Sequence, residues 1–435
     1  MKRTFKTKKI NDRNYNILAL PGTNFFKFEI VNMYGSVVER IYRSRTGRNV
    51  YGLSHLVEHL SFRATKDYSS KELLSLINSE GTYNASTYTT RINYWFQTTM
   101  EKATLGIKLV LNYALNDLTR ISQEEFDIEK KVVYNEAKRY ADDDQTMFAF
   151  NIYPTINELD KEDNVIGIPE TIDTFTLEDA IALKDIFLQN TDVHYNITYD
   201  PMILTEAEII EQIEFELMRF KHTSKIEGIS KELYESYIKR PNNKKYISDN
   251  ESAQMLTAIN LDVVDNKIIA DAGNDYLARY AKDTSLNDVI REQNGLTYGI
   301  DLYTNNIDYN DYVQFGCDVS KGSEELMMKL FDKSINDSVD AWTEESYNNY
   351  MNTRRLKRTL NLLNQKNYEF WINLAIWNSD IFSILKDISS EDLDKAYEEL
   401  DKIFCTEEKI KEYLDKFKYY VNLGRYALVT NYKGE

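Results

Sequence analysis

Gly52-Leu53-Ser54-His55-Leu56-Val57-Glu58-His59-Leu60-Ser61-Phe62-Arg63-Ala64-Thr65 is the stretch from which the rest of this chain is read. Its centre places three metal-chemistry side chains in five residues, inside a segment that reads as a helix. At about 100° per residue, His59 lies roughly 40° round from His55 and Glu58 roughly 60° the other way. One helical face therefore presents two imidazoles and a carboxylate together. Two imidazoles can hold Zn²⁺, and a neighbouring carboxylate can take a proton from metal-bound water. The chain has 4 His in 435 residues. Two of them fall in this pentapeptide, so composition alone does not account for the pairing.

The spacing is that of the inverted zinc-protease motif H-x-x-E-H. A catalytic zinc site ordinarily takes three protein ligands and keeps one open position. The best candidate for the third lies in Glu129-Lys130-Lys131-Val132-Val133-Tyr134-Asn135-Glu136. Ser122 opens this helix as a candidate cap. Glu129 and Glu136 are seven apart and share one face, and Val132 and Val133 are expected to bury between them. Taken singly, a helical Glu is ordinarily solvated.

The stretch at 52–65 resembles the G-x-x-H-x-x-E-H-x-x-F-x-G-T signature of the pitrilysin-type (M16) metallopeptidases, with Ala64 where the family usually has Gly. The resemblance continues in Gly81-Thr82-Tyr83-Asn84-Ala85-Ser86-Thr87, similar to G-x-x-N-A-x-T, and in Glu129 to Glu136, similar to E-x-x-V-V-x-x-E. It implies that His55, His59 and Glu136 are zinc ligands, with one Zn²⁺ per chain. Glu58 is then the general base and Glu129 a carboxylate that supports the ligands from behind. It further implies an extended peptide added to a sheet edge at Asn84, Ala85, Ser86 and Thr87.

The length predicts more than one domain. The expectation is an α+β fold of two similar domains from an internal duplication, each a mostly antiparallel sheet packed with helices. Residues 1–220 form a zinc-binding catalytic domain, 221–245 a lysine-rich linker, and 246–435 a metal-free substrate-binding domain. Residues 70–79 read as a helix stopped by Gly81, and Asn93-Tyr94-Trp95-Phe96-Gln97-Thr98-Thr99 as a strand. Ser285 to Gly295 reads as a helix stopped by Gly, with a strand following, which echoes the first domain without its H-x-x-E-H.

In the second domain Arg291 and Tyr298, in R-x-x-x-G-L-x-Y, resemble the family's Arg/Tyr pair. By that resemblance they contact substrate and polarise the scissile carbonyl, a task suited to a guanidinium and a phenol. Arg354, Arg355, Lys357 and Arg358 read as a solvated helix face, and the Trp371 and Trp377 region as core. A net charge of −17 opposes nucleic-acid binding, and no apolar run is long enough to span a membrane. Two distant cysteines and the absence of an apolar segment after the basic residues 1–9 fit a reducing cytoplasm.

The implied activity is zinc-dependent endopeptidase action on unstructured peptides. Half the length of four-domain family members implies a homodimer, or a heterodimer with an M16-like subunit. The alternatives are a non-catalytic M16-like scaffold or peptide-binding subunit, and a dedicated maturation protease for one peptide.

Overall fold

Large apolar residues alternate with polar ones along Phe25–Asn32, so that Phe26, Phe28 and Ile30 bury on one side while Lys27 and Glu29 face the other. The same alternation organises a six-stranded sheet: β1 (Thr4–Ile10), β2 (Arg13–Ala19), β3 (Phe25–Asn32), β4 (Thr82–Thr87), β5 (Ile92–Thr99) and β6 (Val193–Tyr199). The spatial order is β1-β2-β6-β3-β5-β4. All neighbours are antiparallel except β2 and β6, which run parallel. The computed structural model describes residues 1–143, 164–220, 226–238, 246–247, 254–259, 266–307, 310–320, 322–362, 369–377, 379–424 and 426–430.

These residues divide into two compact units. The first comprises Met1–Ala141, Glu162–Ile238 and Tyr368–Lys395; the second comprises Asp142–Lys161, Lys239–Asn367 and Ala396–Glu435. The units are discontinuous in sequence, so no linear boundary expresses them. Of the linker expected at 221–245, residues 221–225 and 239–245 lie outside the described residues, and Lys231–Ile238 is a helix.

In the first unit the inner row of the sheet runs Ala85, Tyr94, Ile30, Tyr195, Tyr15 across five strands. This face carries the core and the helices that matter for function: α1 (Val37–Thr46), α2 (Leu53–Ser61), α3 (Ser70–Glu80), α4 (Ala103–Ala114) and α5 (Gln123–Ala141). Helix α4 packs on β3 and β5, and α2 packs against β4, α5 and the helix Leu177–Gln189. On the opposite face Phe5 of β1 meets the rings of Trp371 and Phe382. Trp371 is thus core, as expected. Trp377 is only half-buried.

The helix at 70–79 is present as α3, opened by a Ser69/Glu72 capping box. Gly81 does not stop it by a left-handed turn, since its φ is 177°. A Cβ there would lie 2.3 Å from the Gln97 carbonyl oxygen and 2.6 Å from Phe96 Cζ. The glycine is needed for close approach of β4 to β5. On α5, Val133 is buried but Val132 is exposed. The expectation that both bury is met by Val133 alone, because only one face of α5 packs against the core.

The second unit repeats the topology. Strands β7 (Tyr246–Ile247), β8 (Gln254–Ile259), β9 (Ile300–Ile307), β10 (Asn310–Asp318) and β11 (Tyr426–Thr430) lie in the order β7-β11-β8-β10-β9, with β7 and β11 parallel and the rest antiparallel. Substituting β2, β3, β4, β5 and β6 in turn reproduces five strands of the first sheet, in order and direction. The fold is α+β, and its duplication is visible in connectivity. The basic cluster is a solvated face only in part: Arg355 and Lys357 are exposed, whereas Arg354 Nε and Arg358 Nε bond the buried Asp401 carboxylate at 3.0 and 2.5 Å. A distant helix supplies the counter-charge that local sequence did not show. Both Cys317 and Cys405 are buried and free. Among the described residues no helix is long and apolar enough to cross a membrane.

Helix α2 has almost every residue buried and no side-chain cap of its own. The fully buried Glu39 of α1 supplies one from outside, accepting the Gly52 and Ser54 backbone N–H groups at 2.9 and 2.5 Å. A carboxylate at a helix N-terminus also meets the positive end of the helix dipole. Replacing Glu39 by Ala strands these two donors. Urea unfolding is expected to show a loss of about 1–3 kcal/mol, with Glu39→Gln, which keeps an acceptor oxygen, closer to the parent.

Candidate metal centre

Helices α2 and α5 cross so that His55, His59 and Glu136 converge. One ligand-type atom from each lies within 4.8 Å of the others. The His59 Nε2 to Glu136 Oε2 distance is 3.6 Å, and that from His55 Nε2 is 3.9 Å. The imidazole planes stand at 85° to one another, with centroids 4.7 Å apart. These separations are too long for hydrogen bonds. They are close to the roughly 3.3–3.5 Å edge of a tetrahedron whose centre lies about 2.0–2.1 Å from each N or O donor. Two nitrogens and one carboxylate oxygen are a donor set suited to zinc, so the residues fit such an ion.

Glu129 lies about two turns before Glu136 on the same face of α5. Its Oε2 is 3.2 Å from His59 Nδ1, and its Oε1 accepts from Arg63 Nε at 2.7 Å and also from Arg63 Nη2. Donation from Nδ1 leaves the Nε2 lone pair of His59 free to face Glu136. Burial raises the Glu129 carboxyl, but the hydrogen bonds from His59 and Arg63 outweigh it and hold it below the usual range. For His59, burial opposes the charged form, yet the bond to Glu129 and the Glu58, Glu129 and Glu136 carboxylates raise its pKa. His55 behaves oppositely: burial, then the His59 charge, lower it to about 3. Its buried Nδ1 has no hydrogen-bond partner among the described residues.

Glu58 sits beside the cluster, buried, with Oε2 accepting from the Thr87 hydroxyl at 2.5 Å. Burial pushes its carboxyl up, partly offset by that bond. Thr87 therefore links the motif helix to β4. Among the described residues, strand β4, which carries Asn84, Ala85, Ser86 and Thr87, pairs only with β5 and forms the sheet edge. Ala85 and Thr87 point to the α2 side, and Asn84 and Ser86 to the other. In the second unit the Arg291 guanidinium lies 5.2 Å from the Tyr298 ring centroid, and Tyr298 is 88% exposed. The two side chains that the R-x-x-x-G-L-x-Y stretch singled out do meet.

Sequence reasoning did not assign Glu39, Arg63 or the Thr87–Glu58 bond. Arg63 could have been found, since it stands four residues after His59. Glu39 and Thr87 gave no local signal, because their partners are set by packing between elements.

Residues 45–169 match the insulinase (peptidase family M16) family model. A curated relative described as an uncharacterized zinc protease of Rickettsia bellii is 24% identical over 202 residues, which is 45% of this chain and 44% of the relative. The chain thus aligns with less than half the length of that relative. A protease from Helicobacter pylori superposes with a TM-score of 0.74 at 13% identity, covering 99% of this chain and 100% of that one. A peptidase M16 inactive domain from Pseudomonas fluorescens gives 0.72 at 12%, covering 98% and 97%. The periplasmic protease PqqL of Escherichia coli gives 0.70 at 13%, covering 98% of this chain and 47% of that one. The chain thus matches the M16 insulinase family model at residues 45–169, and its fold is similar to those of solved M16 proteins.

Proposed function

We propose that this chain is a zinc-dependent endopeptidase acting on unstructured peptides. The observation that carries the reading is the convergence of His55, His59 and Glu136 with Glu58 buried beside them. A scaffold without activity would have no need to keep three donors and a base together. Zinc, when bound, brings the pKa of a coordinated water to about 7 and polarises a peptide carbonyl.

The protein's own groups do the rest. Glu58 takes a proton from the attacking water and returns it to the leaving amine. Thr87 holds that carboxylate in place through its hydroxyl. Glu129, braced by Arg63, fixes the ring of His59. The substrate backbone adds to the free edge of β4 at Asn84, Ala85, Ser86 and Thr87, which recognises extended chains with little regard to side chain. Arg291 and Tyr298 provide donors to the developing oxyanion, in a homodimer or a heterodimer with an M16-like subunit. Two buried, unbridged cysteines support action in the cytoplasm.

Cleavage of a fluorogenic peptide mixture tests this. Purified protein loaded with zinc is expected to hydrolyse it. Glu58→Gln is expected to lower the rate by about 10²–10⁴-fold. No cleavage by the zinc-loaded parent, alone or with an M16-like partner, contradicts the reading. Separately, Glu129→Gln is expected to weaken zinc binding by roughly 10–100-fold in competition with a chelator, because His59 loses the charged acceptor that orients it.

A further inference from the structure

The sheet of the first unit has a second concave site, on the face away from α2. Its central row is polar: Asn84, Trp95, Glu29, Asn196 and Asn16 stand side by side across five strands. Over this face lies the helix Glu369–Trp377, and between them is a pocket of about 230 Å³. That volume is below the roughly 300–1,000 Å³ of small-molecule sites and suits one side chain. The pocket reaches the edge strand, where Ser86 and Tyr88 line it.

Arg91 is the group without an evident purpose. It closes the β4–β5 hairpin, with its carbonyl accepting from Tyr88 N–H at 2.8 Å. Its guanidinium lies 3.9 Å from the Tyr88 ring centroid and 5.1 Å from that of Trp377. No acceptor among the described residues takes its side-chain donors. Two aromatic rings flank the cation while its N–H groups remain without a described acceptor, a state suited to a bidentate carboxylate. The hairpin is firmly seated: Ser36 and Val37 N–H bond the Tyr88 and Thr89 carbonyls at 3.0 Å each. The Glu29 carboxylate in the same pocket is already engaged by the Asn93 and Asn196 amides at 3.1 and 2.9 Å.

We propose that this pocket binds a carboxylate of a peptide laid along β4, with Arg91 as the specificity-determining residue. The inference rests on the edge-strand reading above. Side chains of an added strand alternate between faces, so residues on the Ser86 side are directed to Arg91 and away from Glu58. The carboxylate is an internal acidic side chain or the peptide's C-terminus.

The test uses Glu58→Gln protein and labelled decapeptides, with binding read by fluorescence anisotropy. One series is amidated and carries Glu, Gln or Lys at successive positions; another peptide has no acidic side chain and a free C-terminus. At one position, or at the free terminus, the carboxylate is expected to tighten binding about tenfold. Which arm responds identifies the source. Arg91→Gln, checked for unchanged thermal unfolding, removes that preference, and Arg91→Lys restores only part of it. The proposal is overturned by equal binding in every arm, by a preference for Lys, by a preference that survives Arg91→Gln, or by no binding. Zinc-loaded parent protein given the same peptides separates the two readings. Carboxylate preference without cleavage removes the peptidase and keeps the subsite; cleavage without preference does the reverse.

Discussion

The contact between His59 Nδ1 and Glu129 is the constraint on which the candidate centre depends. It ties α2 to α5, selects the tautomer that leaves Nε2 unprotonated, and so aims one imidazole at Glu136. Arg63, from the turn after α2, braces the same carboxylate. Without that brace Glu129 would be a buried carboxylate with His59 as its only described partner, and burial would disfavour its charged form. The scaffold serves the same end at the other terminus of α2. Glu39 satisfies its first N–H groups, and Gly52 and Gly167 approach so closely that a Cβ on Gly52 would fall 2.7 Å from Gly167 Cα. A helix buried on every side needs both ends fixed by other elements.

How much of this is legible in the sequence follows from how local each signal is. His55, Glu58 and His59 are read at once, since their angles on a helix are fixed by three and four residues of separation. Glu129 and Glu136 are nearly as local. The sheet is less so: each strand is visible in its alternation, but the order β1-β2-β6-β3-β5-β4 depends on pairings across more than a hundred residues. Least legible are side chains whose partners lie on another element. Glu39 looks like any first-turn acid of an amphipathic helix. Arg354 and Arg358 look solvated until Asp401 is brought beneath them. The placement of residues 369–391 against the first sheet carries no local signal at all.

The edge strand joins two chemistries. An unpaired edge is a hazard unless it is used or guarded. Here β4 is short, and its two faces differ. Thr87 turns to Glu58 and the donor cluster, while Ser86 opens on the aromatic and cationic pocket of Arg91. A peptide on this edge would therefore be read by its backbone between the two faces and by one side chain on the far one. The net charge of −17 describes the whole surface and gives no guide to this local cation.

Metal stoichiometry tests the central claim most directly. Purified protein dialysed against zinc and measured by inductively coupled plasma mass spectrometry should hold one zinc per chain. Replacing His55, His59 or Glu136 by Ala should abolish it, whereas Glu58→Gln should retain it. Zinc that persists in all three ligand variants, or that is absent from the parent protein, would contradict the assignment of this cluster as the metal centre.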